Sequence, residues 1–136
     1  MLTLDTSGIL AALNGRDPHH ATTVAVLREG GGPFVIPVEI MAEATYMIEE
    51  RLGLVTLDAF LADVENGAFS SDCGEDDFPR IRGLIQRYSN FPLGYADASV
   101  IASAERHGGR VLTYDLRHFP PVAKERTIRI VGFGDE

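Results

Sequence analysis

The stretch from residue 94 to residue 115 limits the possible folds of this chain more than any other, because it joins an amphipathic helix to a short apolar strand. Three apolar residues follow Asp97 at the spacing of one helix face: Val100, Ile101 and Ala104. Gly108 and Gly109 are typical of a helix end, and the apolar residues after them lead to Asp115. This order predicts a helix beside a strand, with two acids near one crevice.

The positions of these two acids have both functional and structural interpretations. Asp97 lies in the middle of the apolar helix face, where a charge is costly unless it is paired or binds a metal. Asp115 follows a strand, and ligands of open α/β sheets bind beyond the carboxyl ends of strands. However, Asp97 could instead cap its helix or favour the helix dipole, and Asp115 could open a turn. The functional interpretation therefore depends on acids elsewhere in the chain.

Strands and helices alternate along the whole chain, and the short turns of β-hairpins are absent, which predicts an α/β fold with a mainly parallel sheet. The predicted strands are 2–4, 33–36, 68–71, 110–114 and 127–131. The predicted helices are 9–13, 19–28, 38–51, 54–65, 78–88 and one that begins near Asp97. We expect an extended turn over 118–121 and a tail over 132–136.

Size, charge and cysteine content restrict the class of protein. A length of 136 residues predicts one domain, 1–136. The net charge of -8 argues against unspecific nucleic-acid binding, although eleven Arg and one Lys leave room for a local basic rim. The single cysteine, Cys73, excludes an internal disulfide framework. With no signal-peptide pattern and no apolar run of membrane length, we expect a cytoplasmic protein without membrane contact.

Two further acids occupy positions that match those of the first pair. Asp5 follows the first predicted strand, and its sequence Leu-Thr-Leu-Asp resembles the Leu-Thr-Tyr-Asp that ends at Asp115. Glu43 lies at the edge of the buried face of helix 38–51, whereas Glu39 and Glu50 are expected to turn further into solvent. Taken alone, Glu43 is more often a solvated helix charge than a functional group.

Four acids at one sheet edge would repel one another strongly. At separations of about 5 Å and an effective dielectric of about 20, each pair costs about 3 kcal/mol. A fold can keep such a cluster if a cation offsets the charge or if some acids are protonated. Oxygen ligands suit Mg²⁺ or Mn²⁺, which serve phosphate chemistry. The histidines show no HxxxH spacing, and one cysteine is too few for a structural zinc site.

Four short motifs follow one another along the chain: Asp5-Thr6-Ser7, Pro37 with Glu43 six residues later, Tyr95-Ala96-Asp97-Ala98, and Leu112-Thr113-Tyr114-Asp115. In this order they resemble the motifs of a PIN domain, and more narrowly of a VapC-type toxin from a bacterial toxin–antitoxin pair. The resemblance spans residues 3 to about 131. It implies a three-layer α/β/α fold with a central, mainly parallel sheet of about five strands, and a metal-dependent endoribonuclease activity on tRNA or rRNA.

The resemblance also implies roles for individual residues. The acidic quartet would be Asp5, Glu43, Asp97 and Asp115. Of these, Asp5, Asp97 and Asp115 would chiefly hold Mg²⁺ or Mn²⁺, which activates water to leave a 5′-phosphate and a 3′-hydroxyl. Ser7 and Thr113 match the supporting hydroxyls of the family. Expected partners are RNA, a small antitoxin and a second copy of the chain. Candidate RNA-binding residues are Arg16, Arg80, Arg82, Arg87 and Arg117.

Three other classes of protein place an acid after the first strand or share this fold. A phosphohydrolase of that type needs a second Asp two residues after the first, where this chain has Ser7. A phospho-accepting receiver domain needs a lysine late in the fold, and Lys124 follows two prolines that place it poorly. A PIN-like scaffold without nuclease activity is the main alternative, and the presence of all four acids argues against it.

Overall fold

A computed structural model describes residues 1–132 of the chain and contains one five-stranded sheet. The strands are β1 Leu2–Leu4, β2 Phe34–Pro37, β3 Ser70–Asp72, β4 Arg110–Leu112 and β5 Arg129–Val131. Their spatial order is β3-β2-β1-β4-β5, and every neighbouring pair is parallel. The prediction of a parallel sheet of about five strands is therefore confirmed.

Helices connect the strands and complete a three-layer α/β/α architecture, as predicted. They are α1 Thr6–Leu13, α2 His20–Gly30, α3 Met41–Leu52, α4 Leu54–Glu65, α5 Phe78–Arg87, α6 Tyr95–Arg106 and α7 Phe119–Ala123. A 3-10 turn over Val38–Ile40 precedes α3. Helix α6 packs across β1, β2 and β4 and buries seven consecutive residues from Ala98 to Ala104. Five of these seven residues are alanine or serine, whose small side chains allow a helix to lie close to a sheet.

The order of the strands locates the functional crevice. From β1 the chain adds β2 and β3 on one side, and it then crosses back to add β4 and β5 on the other side of β1, so the strand order reverses between β1 and β4. Ligands of open α/β sheets bind at such a reversal, outside the carboxyl ends of the strands. The backbone N–H of Asp5 donates to the Leu112 carbonyl at 3.3 Å, which joins the two strand ends.

Glycine is required where α1 crosses the end of β4. A Cβ atom at Gly8 would lie 2.6 Å from the carbonyl oxygen of Leu112. No real Cβ approaches a backbone oxygen so closely, because the contact is well inside the van der Waals distance. The absence of a side chain at Gly8 therefore lets the amino-terminal end of α1 lie against the end of β4.

Local hydrogen bonds explain several differences from the predicted elements. Strand β4 ends at Leu112 rather than at residue 114 because the Tyr114 N–H donates to the Ser7 hydroxyl. Helix α1 begins at Thr6 rather than at residue 9 because Asp5 caps it. The extended turn predicted over 118–121 is instead the start of α7. Its prolines occupy the first turn, where a backbone N–H has no intrahelical acceptor.

The remaining predicted elements differ by small shifts, and one lies partly beyond the structure. Strand β3 begins at Ser70 instead of residue 68, and β5 begins at Arg129 instead of residue 127. The predicted tail over 132–136 begins at Gly132, and residues 133–136 lie outside the described part of the chain. Within residues 1–132, no helix has the length and apolar character needed to cross a membrane.

Candidate active site

A cavity of about 440 Å³ opens at the carboxyl ends of β1 and β4. The four acids identified from the sequence all line it: Asp5, Glu43, Asp97 and Asp115. Other polar residues on its wall are Thr6, Ser7, Asp17, His19, Arg51, Tyr114 and His118. The fold therefore brings together acids from both ends of the chain and from two intervening helices.

Asp5 is the most buried of the four acids, with 7% of its surface exposed. It is the N-cap of α1, and its Oδ1 accepts hydrogen bonds from the Gly8 N–H at 2.9 Å and the Ser7 hydroxyl at 2.7 Å. Its Oδ2 accepts a bond of 2.5 Å from the Thr113 hydroxyl. Burial raises the pKa of Asp5 to about 6, and these donors only partly oppose the shift.

Ser7 and Thr113, 106 residues apart, bind Asp5 from two sides. Each hydroxyl donates to one carboxylate oxygen and accepts from the segment after β4. Ser7 Oγ accepts the Tyr114 N–H at 2.9 Å, and Thr113 Oγ1 accepts the Asp115 N–H at 3.0 Å. The carboxylate of Asp5 is therefore held in one orientation, and the backbone that carries Asp115 is fixed to the same network.

Asp97 lies in the first turn of α6 and is partly buried, with 29% of its side chain exposed. Burial raises the pKa of this carboxyl. The charges of Asp115 and Glu43 add to the shift, whereas His118 opposes it. The position in a first turn also suits the helix dipole, so the structural interpretation of Asp97 is compatible with its place in the cavity.

Asp115 opens the turn that leads into α7. Its Oδ1 accepts the backbone N–H groups of Arg117 at 2.9 Å and His118 at 3.0 Å. Its Oδ2 lies 2.8 Å from Nδ1 of His118. Burial alone would raise the pKa of Asp115, but the bonds from His118 and Arg117 outweigh it and lower the pKa. A carboxylate with a lowered pKa stays ionised in neutral solution.

Glu43 is exposed on the first turn of α3, and its Oε1 accepts a 2.7 Å hydrogen bond from the Thr6 hydroxyl. This bond connects α3 to the start of α1 beside Asp5. Glu39, which we expected to turn into solvent, is instead half-buried and accepts the Gly74 N–H at 3.0 Å. The difference follows from the 3-10 turn before α3, which shifts Glu39 from the helix face that regular spacing predicts.

Sequence reasoning did not select His118 as a site residue. Its Nδ1 lies 2.8 Å from Asp115 Oδ2 and 3.8 Å from Asp97 Oδ2. Its ring stacks on Phe91 with centroids 6.1 Å apart, so one face is supported by an apolar side chain. The available signal was the Asp-x-x-His spacing from Asp115, which a search for HxxxH does not detect.

The cavity wall also carries aromatic and basic groups that the sequence analysis did not select. The rings of His19 and Tyr114 stack at a centroid distance of 4.1 Å and an angle of 6°. The Tyr114 hydroxyl lies 2.5 Å from that of Thr23, which fixes α2 against this wall. Arg51, at the end of α3, contributes the positive charge of a guanidinium to a cavity otherwise rich in carboxylates.

The donor set of this cavity fits a divalent cation. One ligand atom each from Asp97, Asp115 and His118 lie within 4.8 Å of one another. Asp5 lines the same cavity but is not part of that group of three. Its Oδ1 already accepts two hydrogen bonds, whereas its Oδ2 accepts one and keeps a lone pair for a cation. Carboxylates suit Mg²⁺ and Mn²⁺, and imidazole adds a ligand that transition metals accept.

Comparisons with known proteins agree with this fold. Ribonuclease VapC26 of Mycobacterium tuberculosis is 28% identical over 120 residues, which cover 87% of this chain and 89% of that protein. The crystal structure of M. tuberculosis VapC20, described as a sarcin–ricin loop cleaving toxin, has a TM-score of 0.72. Its identity is 16%, over 82% of this chain and 87% of that chain.

A second solved structure shares the fold over nearly the whole length. FitAcB from Neisseria gonorrhoeae has a TM-score of 0.67 and 19% identity, over 96% of each chain. A family model described as the PIN domain matches residues 2–125. The predicted resemblance to a VapC-type PIN domain is therefore confirmed. The match extends over most of the sequence, and the chain belongs to the PIN domain family.

Proposed function

We propose that this protein is a metal-dependent endoribonuclease and the toxin of a toxin–antitoxin pair, with residues 1–136 acting as one nuclease domain. The observation that carries this proposal is the meeting of four acids in one cavity of a PIN fold. A relative named as a ribonuclease supports the type of reaction. The VapC-type motifs support the role of toxin.

The catalytic acids in this proposal are Asp5, Glu43, Asp97 and Asp115, and Asp5, Asp97 and Asp115 hold Mg²⁺ or Mn²⁺. A divalent cation bound by carboxylates polarises a phosphodiester oxygen and lowers the pKa of a bound water. Asp115 suits the role of a metal ligand, because its hydrogen bonds lower its pKa and keep it ionised. Asp97 lines the same cavity, and its pKa is raised chiefly by burial and further by the charges of Asp115 and Glu43, as is common for acids at functional sites.

The hydroxyls of Ser7 and Thr113 act as positioning groups in this proposal. They donate to both oxygens of Asp5, which therefore needs little reorganisation during the reaction. Glu43 is held by the Thr6 hydroxyl at the exposed side of the cavity. We propose that Glu43 orients a water or a second cation there, opposite the buried Asp5.

Phosphate recognition must come from local arginines, since the chain has a net charge of -8. Two of the candidates are already paired with acids: Arg80 with Glu105 and Glu125, and Arg87 with Glu125. Arg51 on the cavity wall and the exposed Arg117, two residues after Asp115, are better placed to meet a phosphate. We propose a structured RNA, tRNA or rRNA, as the substrate.

The proposed partners follow from the VapC-type resemblance. They are a small antitoxin that covers the acidic cavity and a second copy of the chain, in the cytoplasm. Exposed apolar side chains on α3 and α4 offer surface for such contacts, including Tyr46, Leu54 and Val55.

Cleavage of bacterial total RNA by the purified protein tests the proposal. We expect discrete fragments with Mg²⁺ or Mn²⁺ and none with EDTA or with Asp97→Asn. Asp58→Asn is the matched control, because Asp58 is an exposed acid on α4 outside the cavity, and it should cleave like the wild type. The new ends should be 5′-phosphates and 3′-hydroxyls.

Three outcomes would contradict parts of the proposal. Intact RNA in all lanes, from a folded protein free of antitoxin, would favour a PIN-fold binding or scaffold protein without nuclease activity. Fragments that persist with Asp97→Asn would remove Asp97 from the catalytic set. Fragments with 2′,3′-cyclic phosphates would exclude attack by an activated water.

A further inference from the structure

We infer that His118 supplies a nitrogen ligand to the divalent cation, beside the oxygens of Asp97 and Asp115, and that it biases the site toward Mn²⁺ over Mg²⁺. This inference rests on the proposed function only in requiring that a cation binds in the cavity. It adds a histidine to a ligand set that sequence reasoning had limited to carboxylates.

The spacing of the three ligand atoms supports direct ligation. Nδ1 of His118 lies 2.8 Å from Asp115 Oδ2 and 3.8 Å from Asp97 Oδ2. One ligand atom of each of the three residues lies within 4.8 Å of the others. In an octahedral shell with bonds of about 2.1 Å, neighbouring ligand atoms are about 3 Å apart and opposite ones about 4.2 Å apart. The 2.8 Å separation matches that of neighbouring ligands, and the 3.8 Å separation lies between the two spacings, so a small movement of Asp97 would bring the three residues around one ion.

The other contacts of His118 fix its ring in the orientation that a ligand needs. Its backbone N–H donates to Asp115 Oδ1 at 3.0 Å, so the imidazole and the carboxylate belong to one tight turn. Phe91 stacks on the ring, and 20% of the His118 side chain is exposed. A side chain restrained in this way loses little conformational freedom when it binds an ion.

The nitrogen ligand determines which cation binds more tightly. Mg²⁺ prefers oxygen ligands and keeps much of its water, whereas imidazole is a common ligand of first-row transition metals. A site with two carboxylates and one imidazole therefore discriminates against Mg²⁺ more than an all-carboxylate site does. Binding requires the ring proton on Nε2, so a bound cation would replace the Nδ1–H that otherwise donates to Asp115 Oδ2.

Pulsed EPR of Mn²⁺ bound to the wild-type protein tests this inference directly. A nitrogen directly bonded to Mn²⁺ produces a hyperfine coupling, whereas a histidine that only orients Asp115 does not. We expect this coupling in the wild type and its loss in His118→Asn, which keeps a polar group near the position of Nδ1. His107→Asn is the control, because His107 is equally exposed at 20% and lies 3.8 Å from Asp72, at the opposite end of α6.

Titration calorimetry with Mn²⁺ and Mg²⁺ gives a second measurement. We expect His118→Asn to weaken Mn²⁺ binding by about tenfold or more and Mg²⁺ binding by clearly less. An equal loss for both ions, or Mn²⁺ that binds the wild type without nitrogen coupling, would overturn the role of His118 and leave the metal-dependent nuclease intact. A wild-type protein that binds neither ion would overturn both. Because His19 lines the same cavity, a coupling that survives His19→Asn assigns the nitrogen to His118 even if His118→Asn is unstable, and a coupling lost in His19→Asn would overturn the inference.

Discussion

Ionising Asp5 should cost the folded protein a measurable part of its stability. Burial raises the pKa of this carboxyl from 3.8 to about 6. At about 1.4 kcal/mol for each pKa unit, ionisation inside the fold costs about 3 kcal/mol relative to the unfolded chain. Because the pKa is higher in the fold, the stability that Asp5 contributes is fully present below pH 3.8 and is lost as the pH rises through about 6.

Comparison of the wild type with Asp5→Asn isolates this effect, since all other titrating groups are shared. We expect the difference in unfolding free energy between the two proteins to change by about 2 kcal/mol between about pH 4.5 and about pH 7.5, with the wild type losing stability. The rest of the total of about 3 kcal/mol falls below pH 4.5, because Asp5 of the unfolded chain is already mostly ionised at that pH. Urea unfolding in EDTA, followed by circular dichroism, measures both curves.

Addition of Mn²⁺ should reverse the loss of stability with rising pH in the wild type but not in Asp5→Asn. A cation stabilises the ionised carboxylate, so its effect on the unfolding midpoint should grow as the pH rises. Asp58→Asn is the control for removing an acid and should follow the wild type. Parallel curves for the wild type and Asp5→Asn would refute the assignment of a raised pKa to burial. A stabilisation by Mn²⁺ that Asp5→Asn leaves unchanged would place Asp5 outside the cation site.

Three further substitutions test the packing around this network. Thr113→Val removes the donor to Asp5 and should destabilise the protein by about 1–3 kcal/mol in urea unfolding, and it should move the pH midpoint above that of the wild type. Gly8→Ala places a methyl group 2.6 Å from the Leu112 carbonyl and should cost about 1–3 kcal/mol, with a matching loss of RNA cleavage. Thr3→Val should stabilise the protein by about 1 kcal/mol in thermal unfolding, because the buried Thr3 hydroxyl has no hydrogen-bond partner among residues 1–132. A destabilised Thr3→Val, or a Gly8→Ala as stable as the wild type, would contradict these packing arguments.

The four acids could be selected from sequence because each follows a local rule. Asp5 and Asp115 come soon after apolar strands, Asp97 interrupts an apolar helix face, and Glu43 lies at the edge of another. Such patterns depend on residues within a few positions and on the period of one element. The parallel sheet was predictable for a similar reason, since alternating strands and helices leave few other arrangements.

His118 was not predictable by these rules, because its position depends on hydrogen bonds within a turn. Asp115 accepts two backbone N–H groups, and this closes the turn that directs the His118 ring back toward Asp97. From the sequence, residues 118–121 have the prolines of an extended turn, and the start of α7 becomes apparent only in three dimensions. The partners of Ser7 and Thr113 were equally hidden, since they require β1 to lie beside β4.

The hydrogen bonds around Asp5 favour a carboxylate over a carboxylic acid, even though burial raises its pKa. Both oxygens face donors: Ser7 and Gly8 on one side and Thr113 on the other. A protonated Asp5 would need one of these hydroxyls to turn and accept, which would break a bond that the ionised form makes. The hydrogen-bond donors therefore fit the ionised form of Asp5, whereas burial disfavours its charge. A cation next to Asp97 and Asp115 removes that conflict, because it stabilises the charge without disturbing the donors.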